Sequence, residues 1–197
     1  MLNASIKGID LKFKTSEGVF SPKGVDKGTL AMLSVVEFQE GDKVLDLGCG
    51  YGPVGILAAK IIGKENVVMI DVNEEAINVS KENIKLNDIE GIKILQSNGF
   101  EDLDEKDFTL ILSNPPYHVD FSVPKAFIEK GFNRLAVGGK MFMVTKRKEW
   151  YKNKLASVFG GAKVWEIDEY FVFMAIKKNS TYAKVKKKSK TKGKSIA

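Results

Sequence analysis

The hexapeptide Ser-Asn-Pro-Pro-Tyr-His at residues 113–118 has the composition of a site that holds a planar amine. Its two prolines restrict the backbone, so the Asn114 amide and the Pro115 carbonyl can form a fixed pair of acceptors. Such a pair can hold both hydrogens of an amino group and aim the nitrogen lone pair at an electrophile, so that alignment replaces a strong base. Tyr117 offers a face on which a planar base can stack. The structural alternative is a turn, in which Tyr117 would only cover the core.

The single histidine and the single cysteine limit other chemistry. His118 could accept a released proton, contact the substrate or serve the structure alone. Cys49 lies in a glycine-rich turn that needs a small residue, so we do not expect it to act as a nucleophile. One cysteine excludes an internal disulfide, and these residues offer few ligands for zinc and few partners for a Ser-His-Asp triad. Only a carboxylate-rich metal site would remain. No metal cluster is apparent, and no bound metal is predicted.

A glycine-rich turn at VLDLGCGYGPVG, residues 44–55, indicates a nucleotide-type pocket. Glycines there allow a tight turn and a close approach of the backbone to a ligand at the helix N-terminus. The spacing Gly50-x-Gly52-x-x-Gly55 also matches the dinucleotide fingerprint, and Asp71 follows at the distance of a ribose-binding acid. NAD therefore remains an alternative ligand.

Asp46, two residues before the first glycine of that turn, favours a cationic ligand, because its carboxylate would attract an ammonium group and repel a pyrophosphate. S-adenosylmethionine carries an ammonium, a sulfonium and a ribose but no phosphate, so it suits both Asp46 and Asp71. In sheet order, Val72 would pack on the adenine. Asn98 and Gly99 would approach the adenine edge, although Asn98 could instead form an Asx-turn.

Two of these motifs resemble those of known methyltransferases. The block DLGCGYG resembles the first motif of class I methyltransferases. That resemblance implies that Asp46, Gly48 and Gly50 surround the methionine half of S-adenosylmethionine and that Asp71 binds its ribose. The NPPY motif resembles the NPPY or NPPF signature of enzymes that methylate planar nitrogens, namely adenine N6, guanine N2 and the glutamine amide of release factors.

Further stretches narrow the resemblance to one family. GVFS at 18–21 and VDKGT at 25–29, followed by the glycine turn and NPPYH, look like the methyltransferase small domain shared by the ribosomal RNA guanine-N2 methyltransferases. The resemblance covers about residues 8–177. It implies that Phe20 and the Asp26–Thr29 loop close over the cofactor and that Asn114 carries the target amine. The rRNA enzymes of this family often have a degenerate extra domain ahead of the catalytic one.

The elements that must position these motifs alternate between strands and helices. Apolar runs such as VLDL and FTLILS, with amphipathic helices between them, predict a parallel sheet covered on both faces. The two last strands are separated by two residues only and must pair antiparallel. The fold class is therefore α/β, a Rossmann-like, mainly parallel seven-stranded sheet with an antiparallel C-terminal hairpin. The predicted strands are 43–47, 67–71, 92–96, 108–113, 140–145, 162–167 and 170–176, and the predicted helices are 53–62, 74–86, 123–136 and 149–159.

Ahead of this pattern, the sequence predicts a small N-terminal β-hairpin between residues 9 and 20, with its turn at Ser16 to Gly18. The spacing of Leu30, Leu33 and Phe38 predicts a helix after Gly28, capped by Thr29.

The charge is uneven along the chain. The net charge is +6, but nine lysines and no acid lie from Lys177 to the end, so residues 1–176 carry a net −3. We expect a single methyltransferase domain at 1–177, in which 1–28 form the hairpin and the cofactor-closing loop, and a disordered Lys-rich tail at 178–197. The tail would either remain in solvent or bind the phosphates of RNA.

Several protein classes are excluded by composition. A hydrophobic content of 44% with five prolines is that of a folded domain, and no apolar stretch approaches the length of a membrane span. The N-terminus lacks the pattern of a secretory signal, which favours the cytoplasm. The predicted function is transfer of a methyl group from S-adenosylmethionine to an exocyclic amino nitrogen, guanine N2 of ribosomal or other structured RNA. The RNA would be bound by the tail and the rim at 114–118. The alternatives are methylation of a release-factor glutamine, or a non-catalytic RNA-binding or assembly factor. Monomer and dimer remain equally open.

Overall fold

A seven-stranded sheet forms the centre of the computed structural model, which describes residues 1–18, 21, 23–116 and 120–183. Its strand order is β5-β4-β3-β6-β7-β9-β8, with β9 antiparallel to both of its neighbours and the remaining pairs parallel. The predicted Rossmann-like fold class is confirmed. The strands are β3 Val44–Leu47, β4 Val67–Asp71, β5 Lys93–Gln96, β6 Phe108–Ser113, β7 Leu135–Thr145, β8 Lys163–Ile167 and β9 Tyr170–Ile176.

Five helices cover the two faces of this sheet in the described part of the chain. The first three helices pack against strand side chains on one face of the sheet and form one core with them. The last two helices form a second core on the opposite face. Strand β3 contributes to both cores, Val44 to the first and Leu45 to the second, as expected for a strand buried on both faces. The helices are α1 Lys27–Val35, α2 Pro53–Ile62, α3 Glu74–Leu86, α4 Ser122–Arg134 and α5 Lys148–Phe159.

The strand order reverses between β3 and β6. From β3 the chain proceeds to β4 and β5 on one side, and it then crosses to β6 and β7 on the other. In open α/β sheets, this reversal leaves a crevice at the carboxyl ends of the strands, where ligands bind. The glycine turn follows β3 and the Asn-Pro-Pro segment follows β6, so both motifs meet at this crevice.

The N-terminal hairpin exists but lies closer to the N-terminus than predicted. Its strands are β1 Leu2–Ile6 and β2 Ile9–Phe13, joined at Lys7 and Gly8 with φ of 52° and 75°. Two successive positive φ values are those of a type I′ turn, which fits the twist of a hairpin. The predicted turn at residues 16–18 was wrong because the Lys-Gly pair, which lacks the usual Asn or Asp, was not recognised as the turn.

Two buried asparagines, Asn83 in α3 and Asn87 directly after it, attach this hairpin to the sheet domain. The Asn87 side chain accepts from the Lys12 N–H at 3.1 Å and donates to the Lys12 carbonyl at 2.7 Å. Asn83 pairs in the same way with the backbone of Lys14, at 2.7 and 2.9 Å. Each side-chain amide pairs with the N–H and the carbonyl of one residue, as a neighbouring strand would. The backbone groups of Lys12 and Lys14 are therefore hydrogen-bonded without another strand.

Two predicted helix ends need correction. Helix α1 is capped by Asp26 and not by Thr29, because the Asp26 carboxylate accepts the Thr29 N–H at 3.0 Å. Helix α4 ends at Arg134 and not at 136, and β7 begins at Leu135, with a register shift against β6.

The last residue of the predicted domain, Lys177, and Tyr182 of the predicted tail lie against the sheet domain. Lys177 is buried, and its ammonium donates to the Leu135 carbonyl at 2.7 Å. Tyr182 contacts the Phe132 ring edge-on at 4.9 Å and donates to the Glu129 carbonyl at 3.1 Å. The rest of the predicted tail, residues 184–197, lies outside the described residues. Within the described ranges, no helix has the length and apolar character needed to cross a membrane.

Candidate active site

A cavity of about 320 Å³ lies at the carboxyl ends of β3, β4 and β6. That volume lies within the range of small-molecule sites. The structure places around it each described residue that the sequence predicted to bind the cofactor: Asp46, Gly48, Gly50, Asp71, Val72, Asn98, Gly99 and Asn114. Pro115 is not among the lining residues, but Pro116 is. Phe20, Tyr117 and His118, also singled out in the sequence, lie outside the described residues.

The floor of the cavity is the glycine turn. The N–H groups of Gly48 and Cys49 both donate to the Ile70 carbonyl at 2.9 Å, which ties the turn to the end of β4. Gly48 and Gly50 have φ of 77° and 57°, and a Cβ added to either would meet no atom within 4 Å. The left-handed backbone requires glycine here, and the absence of side chains leaves room for a ligand to approach the main chain.

Gly55 serves a different purpose from these two. A Cβ on it would lie 2.5 Å from Cγ of Met69 and 3.1 Å from Oδ2 of Asp46. It therefore allows α2 to pack closely on the strands, which is the role of the third glycine in nucleotide-binding turns.

Asp46 is a buried carboxylate at the centre of the site, with 2% of its surface exposed. Burial raises its pKa to about 7, the nearby Asp71 adds to this shift, and a hydrogen bond from the Gly55 N–H opposes it. The charged form is thus costly in the ligand-free pocket. A cation beside Asp46 would favour the carboxylate.

Asp71 is oriented by two backbone donors. Its Oδ2 accepts the Gly50 N–H at 2.8 Å, and its Oδ1 accepts the Asn73 N–H at 2.9 Å. Each oxygen has a second lone pair, so the carboxylate can also accept hydroxyl groups. The neighbouring Val72 has 62% of its surface exposed and gives an apolar surface next to those acceptors.

A further part of the cavity wall is formed by the segment after β5. Asn98 is exposed, and its side-chain NH2 donates to Glu101 at 3.2 Å. Gly99 has a φ of 61°, and a Cβ there would lie 3.5 Å from the Phe127 ring. Phe127 completes this wall and packs edge-on against Phe100 at 6.4 Å.

Asn114 lies at the third side of the cavity, held by the start of α1. Its side-chain NH2 donates to Oδ2 of Asp26 at 2.8 Å and to the Thr29 hydroxyl at 2.9 Å. Asp26 and Thr29 also line the cavity. The Asp26–Thr29 loop is therefore linked to the predicted substrate residue as well as being beside the predicted cofactor pocket.

The charge of the cavity selects among ligand classes. Three aspartates line it, at positions 26, 46 and 71, and no lysine or arginine lies among its described lining residues. A pyrophosphate would meet three carboxylates without a compensating cation, whereas an ammonium or sulfonium would be attracted. The dinucleotide alternative therefore has poor electrostatic support here.

Cys49 belongs to the glycine turn at the floor of the cavity, and its thiol is buried. Burial raises its pKa well above the usual range, and the charges of Asp46 and Asp71 act in the same direction. Because the thiolate is the nucleophilic form, this cysteine is chemically inert in its observed environment.

Sequence reasoning missed Phe127 as a wall residue and Asp26 as a partner of Asn114. Phe127 lies on α4, four residues after Val123, which lines the same cavity. Their i, i+4 spacing indicates a shared helix face, which was the available signal. For the Asp26–Asn114 contact no local signal existed, because 88 residues separate the partners.

Comparison with known proteins connects this site to methyltransferases. The family model of the methyltransferase small domain matches residues 10–175. The chain is 37% identical over 146 residues to the uncharacterized protein YbxB of Bacillus subtilis (strain 168), with 73% of each chain covered. It is 35% identical over 159 residues to Ribosomal RNA small subunit methyltransferase C of Serratia proteamaculans (strain 568), covering 79% of this chain and 45% of that protein.

A solved structure agrees with this result. The T. thermophilus 16S rRNA N2 G1207 methyltransferase (RsmC), in complex with AdoMet and guanosine, superposes with a TM-score of 0.81 at 29% identity. The match covers 89% of this chain and 50% of that one. The chain thus spans about half the length of the two rRNA methyltransferases that it matches.

Proposed function

Because the chain belongs to the methyltransferase small domain family, we propose that it transfers a methyl group from S-adenosylmethionine to an exocyclic amino nitrogen, guanine N2 of ribosomal or other structured RNA. The observation that carries this proposal is the arrangement of Asn114 at the cavity edge, with its NH2 bound to Asp26 and Thr29. In this proposal the amide oxygen of the same side chain accepts a hydrogen bond from the amine of the substrate.

The cavity suits S-adenosylmethionine in shape and charge. This cofactor supplies a methyl group on a positively charged sulfur. Asp46 lies where it can attract the cationic methionine half, and the bare backbone at Gly48 and Gly50 leaves room for it. Asp71 can accept the ribose hydroxyls. Val72 and Phe127 offer apolar surface to the adenine, beside Asn98 and Gly99.

The chain's own residues then align the substrate. The Asn114 oxygen and the Pro115 carbonyl would accept the two hydrogens of the amine, and Tyr117 would stack on the base. An amine held by two acceptors directs its lone pair along a single line, so positioning supplies much of the rate. The methylated nitrogen is acidic enough to lose its extra proton to water, and His118 is not needed as a base.

Three observations support RNA as the substrate class. A relative is an rRNA methyltransferase, and the T. thermophilus relative was solved with guanosine. Lys146, Arg147 and Lys148 leave β7 at the same sheet edge as Asn114, because Ser113 pairs with Met143 in the sheet register. The exposed Lys146–Glu169 pair contributes little to stability, so a phosphate can replace Glu169 there. The Lys-rich segment 184–197 would add phosphate contacts. With rRNA as substrate, the reaction belongs in the cytoplasm.

The test uses the purified protein with S-adenosylmethionine labelled on its methyl group. It is incubated separately with ribosomal subunits, with naked rRNA and with a release factor, and labelled RNA is digested to nucleosides. We expect labelled N2-methylguanosine with wild type and none with Asn114→Ala. Label in N6-methyladenosine or in the release factor would overturn the guanine assignment. Cofactor binding without transfer to any of these acceptors would favour a non-catalytic RNA-binding factor.

A further inference from the structure

The predicted substrate residue Asn114 is contacted by two side chains for which the proposed chemistry has no direct use. Oδ2 of Asp26 accepts both the Asn114 NH2, at 2.8 Å, and the Thr29 N–H, at 3.0 Å. The Thr29 hydroxyl lies 2.9 Å from the same NH2. One carboxylate oxygen thus joins the start of α1 to the end of β6.

The orientation of the Asn114 side-chain amide decides whether it presents an acceptor or a donor to the substrate amine. The oxygen and nitrogen ends of this amide have nearly the same shape, and rotation by half a turn exchanges an acceptor for a donor. With the NH2 end toward a substrate amine, two donors would face each other. The substrate would then lose one of its two acceptors.

Asp26 can determine that orientation, whereas Thr29 alone cannot. An ionised carboxylate only accepts hydrogen bonds, so it binds the NH2 end and rejects the oxygen end. A hydroxyl both donates and accepts, and would tolerate either end. Burial raises the pKa of Tyr51 above its usual range, and the charge of Asp26 adds to that shift. The hydrogen bond to Glu169 raises the pKa of Lys146, and Asp26 adds a smaller part. Tyr51 itself bonds to the Gly24 carbonyl at 3.2 Å.

We propose that Asp26 is a positioning residue of the methyl transfer, which fixes the Asn114 amide with its oxygen toward the acceptor amine. This role rests on the proposed function, because it concerns the atom that would receive the substrate. Since Asp26 also caps α1, one oxygen connects the Asp26–Thr29 loop, on the cofactor side, to Asn114 on the substrate side.

Three variants separate the positioning role from the helix cap. Serine caps helices as well as aspartate does but is too short to reach Asn114, so Asp26→Ser removes only the contact. Asp26→Asn retains an acceptor at the right length. Thr29→Val leaves the carboxylate in place. Asp42→Asn is the control, because this carboxylate also accepts two hydrogen bonds but lies at the opposite end of β3.

The first measurement is single-turnover methyl transfer with saturating S-adenosylmethionine and rRNA. We expect Asp26→Ser to lower the rate by about 10²-fold, the loss typical of a misplaced reacting group, with cofactor affinity within a fewfold. Asp26→Asn should retain most of the rate, Thr29→Val should lower it less than Asp26→Ser does, and Asp42→Asn should retain all of it. A full rate in Asp26→Ser, beside an inactive Asn114→Ala, would overturn the proposal while leaving the proposed function intact.

The second measurement needs no acceptor substrate. In 15N-labelled protein, the side-chain NH2 signal of Asn114 is identified by its loss in Asn114→Ala. We expect its hydrogens to exchange slowly with solvent in wild type and rapidly in Asp26→Ser, with the backbone spectrum otherwise preserved. Equal exchange in the two proteins would overturn the proposal. This outcome is independent of whether guanine is methylated.

Discussion

The Gly55 N–H donates a 2.8 Å hydrogen bond to Oδ2 of Asp46, across the junction of β3 and α2. This hydrogen bond opposes the rise in the pKa of Asp46, but burial outweighs it. A carboxyl whose pKa lies about 7 exists in both forms near neutrality. A bound cation would stabilise the carboxylate form of Asp46, which burial destabilises in the ligand-free protein.

Cofactor affinity should depend on pH through Asp46. A cationic ligand prefers the carboxylate, so binding to the wild type should tighten as pH rises toward about 7, by up to about tenfold per pH unit below the pKa. Calorimetry between about pH 5.5 and 7.5 measures this, and proton release on binding should follow the same curve. Asp46→Asn should bind weakly with little pH dependence, and Asp42→Asn should match wild type. A flat wild-type profile contradicts the prediction.

The same group should destabilise the ligand-free fold as pH rises. Its folded pKa of about 7 lies above the ordinary 3.8, so the folded state binds the extra proton between these values. Its contribution is therefore fully favourable below about pH 4 and is lost as pH rises through about 7. We expect the unfolding free energy of Asp46→Asn, relative to wild type, to increase over this window, with a ceiling of about 4 kcal/mol. Denaturant unfolding at the two ends of the window checks it, and an unchanged difference contradicts it.

Asp71 should be required for cofactor binding for two reasons. It can accept the ribose hydroxyls, and it holds the backbone of Gly50 and Asn73 in place. Asp71→Asn provides one acceptor oxygen where two N–H groups need one each, so one of them is left unpaired. We expect a loss of about 10- to 100-fold in S-adenosylmethionine affinity. Asp88→Asn, at an exposed residue with a φ of 54° that asparagine tolerates, is the control. Tight NADH binding without S-adenosylmethionine binding would end the methyltransferase proposal.

Asn114 and His118 should differ sharply under substitution. Asn114→Ala should abolish transfer and leave cofactor affinity within a fewfold, because its amide is assigned to the substrate. His118→Ala should retain most activity, because no base is required. Steady-state kinetics on the same RNA compares the two variants with wild type. An inactive His118→Ala beside an active Asn114→Ala would reverse these roles.

The sequence predicted many of the residues that line the cavity, because they lie at or just after the carboxyl ends of strands in the βα pattern. Asp46 lies near the end of β3 and Asp71 is the last residue of β4, and these strands are paired neighbours, so the proximity of the two residues is a property of the sheet. The contact of Asp26 with Asn114 was not predictable in this way. It depends on how α1 packs against β7 and β9, which no local pattern encodes.

The same distinction applies to the misplaced hairpin turn and to the contacts of Tyr182. The turn at Lys7 and Gly8 depends on a lysine with positive φ, which composition does not favour. Tyr182 stands among lysines and polar residues, and its partners on α4, the Phe132 ring and the Glu129 carbonyl, are about 50 residues away in the sequence.

The lysines at 184–197 should increase RNA affinity without affecting turnover. A deletion that tests this begins after Ala183, because Tyr182 packs on Phe132 and Ala183 donates to the Val158 carbonyl at 3.0 Å. This segment carries seven lysines. Each phosphate that they neutralise adds about −0.9 to the slope of log affinity against log salt on a duplex, or about −0.7 on a single strand. The truncated enzyme should therefore show a shallower salt slope and a higher KM for RNA, with kcat and the unfolding midpoint unchanged. A full-length variant with these lysines replaced by glutamine keeps the chain length and should behave like the deletion.

Equal affinity and equal slope in all three proteins would mean that the lysines only promote solubility, and RNA binding would then rest on the sheet edge at Asn114.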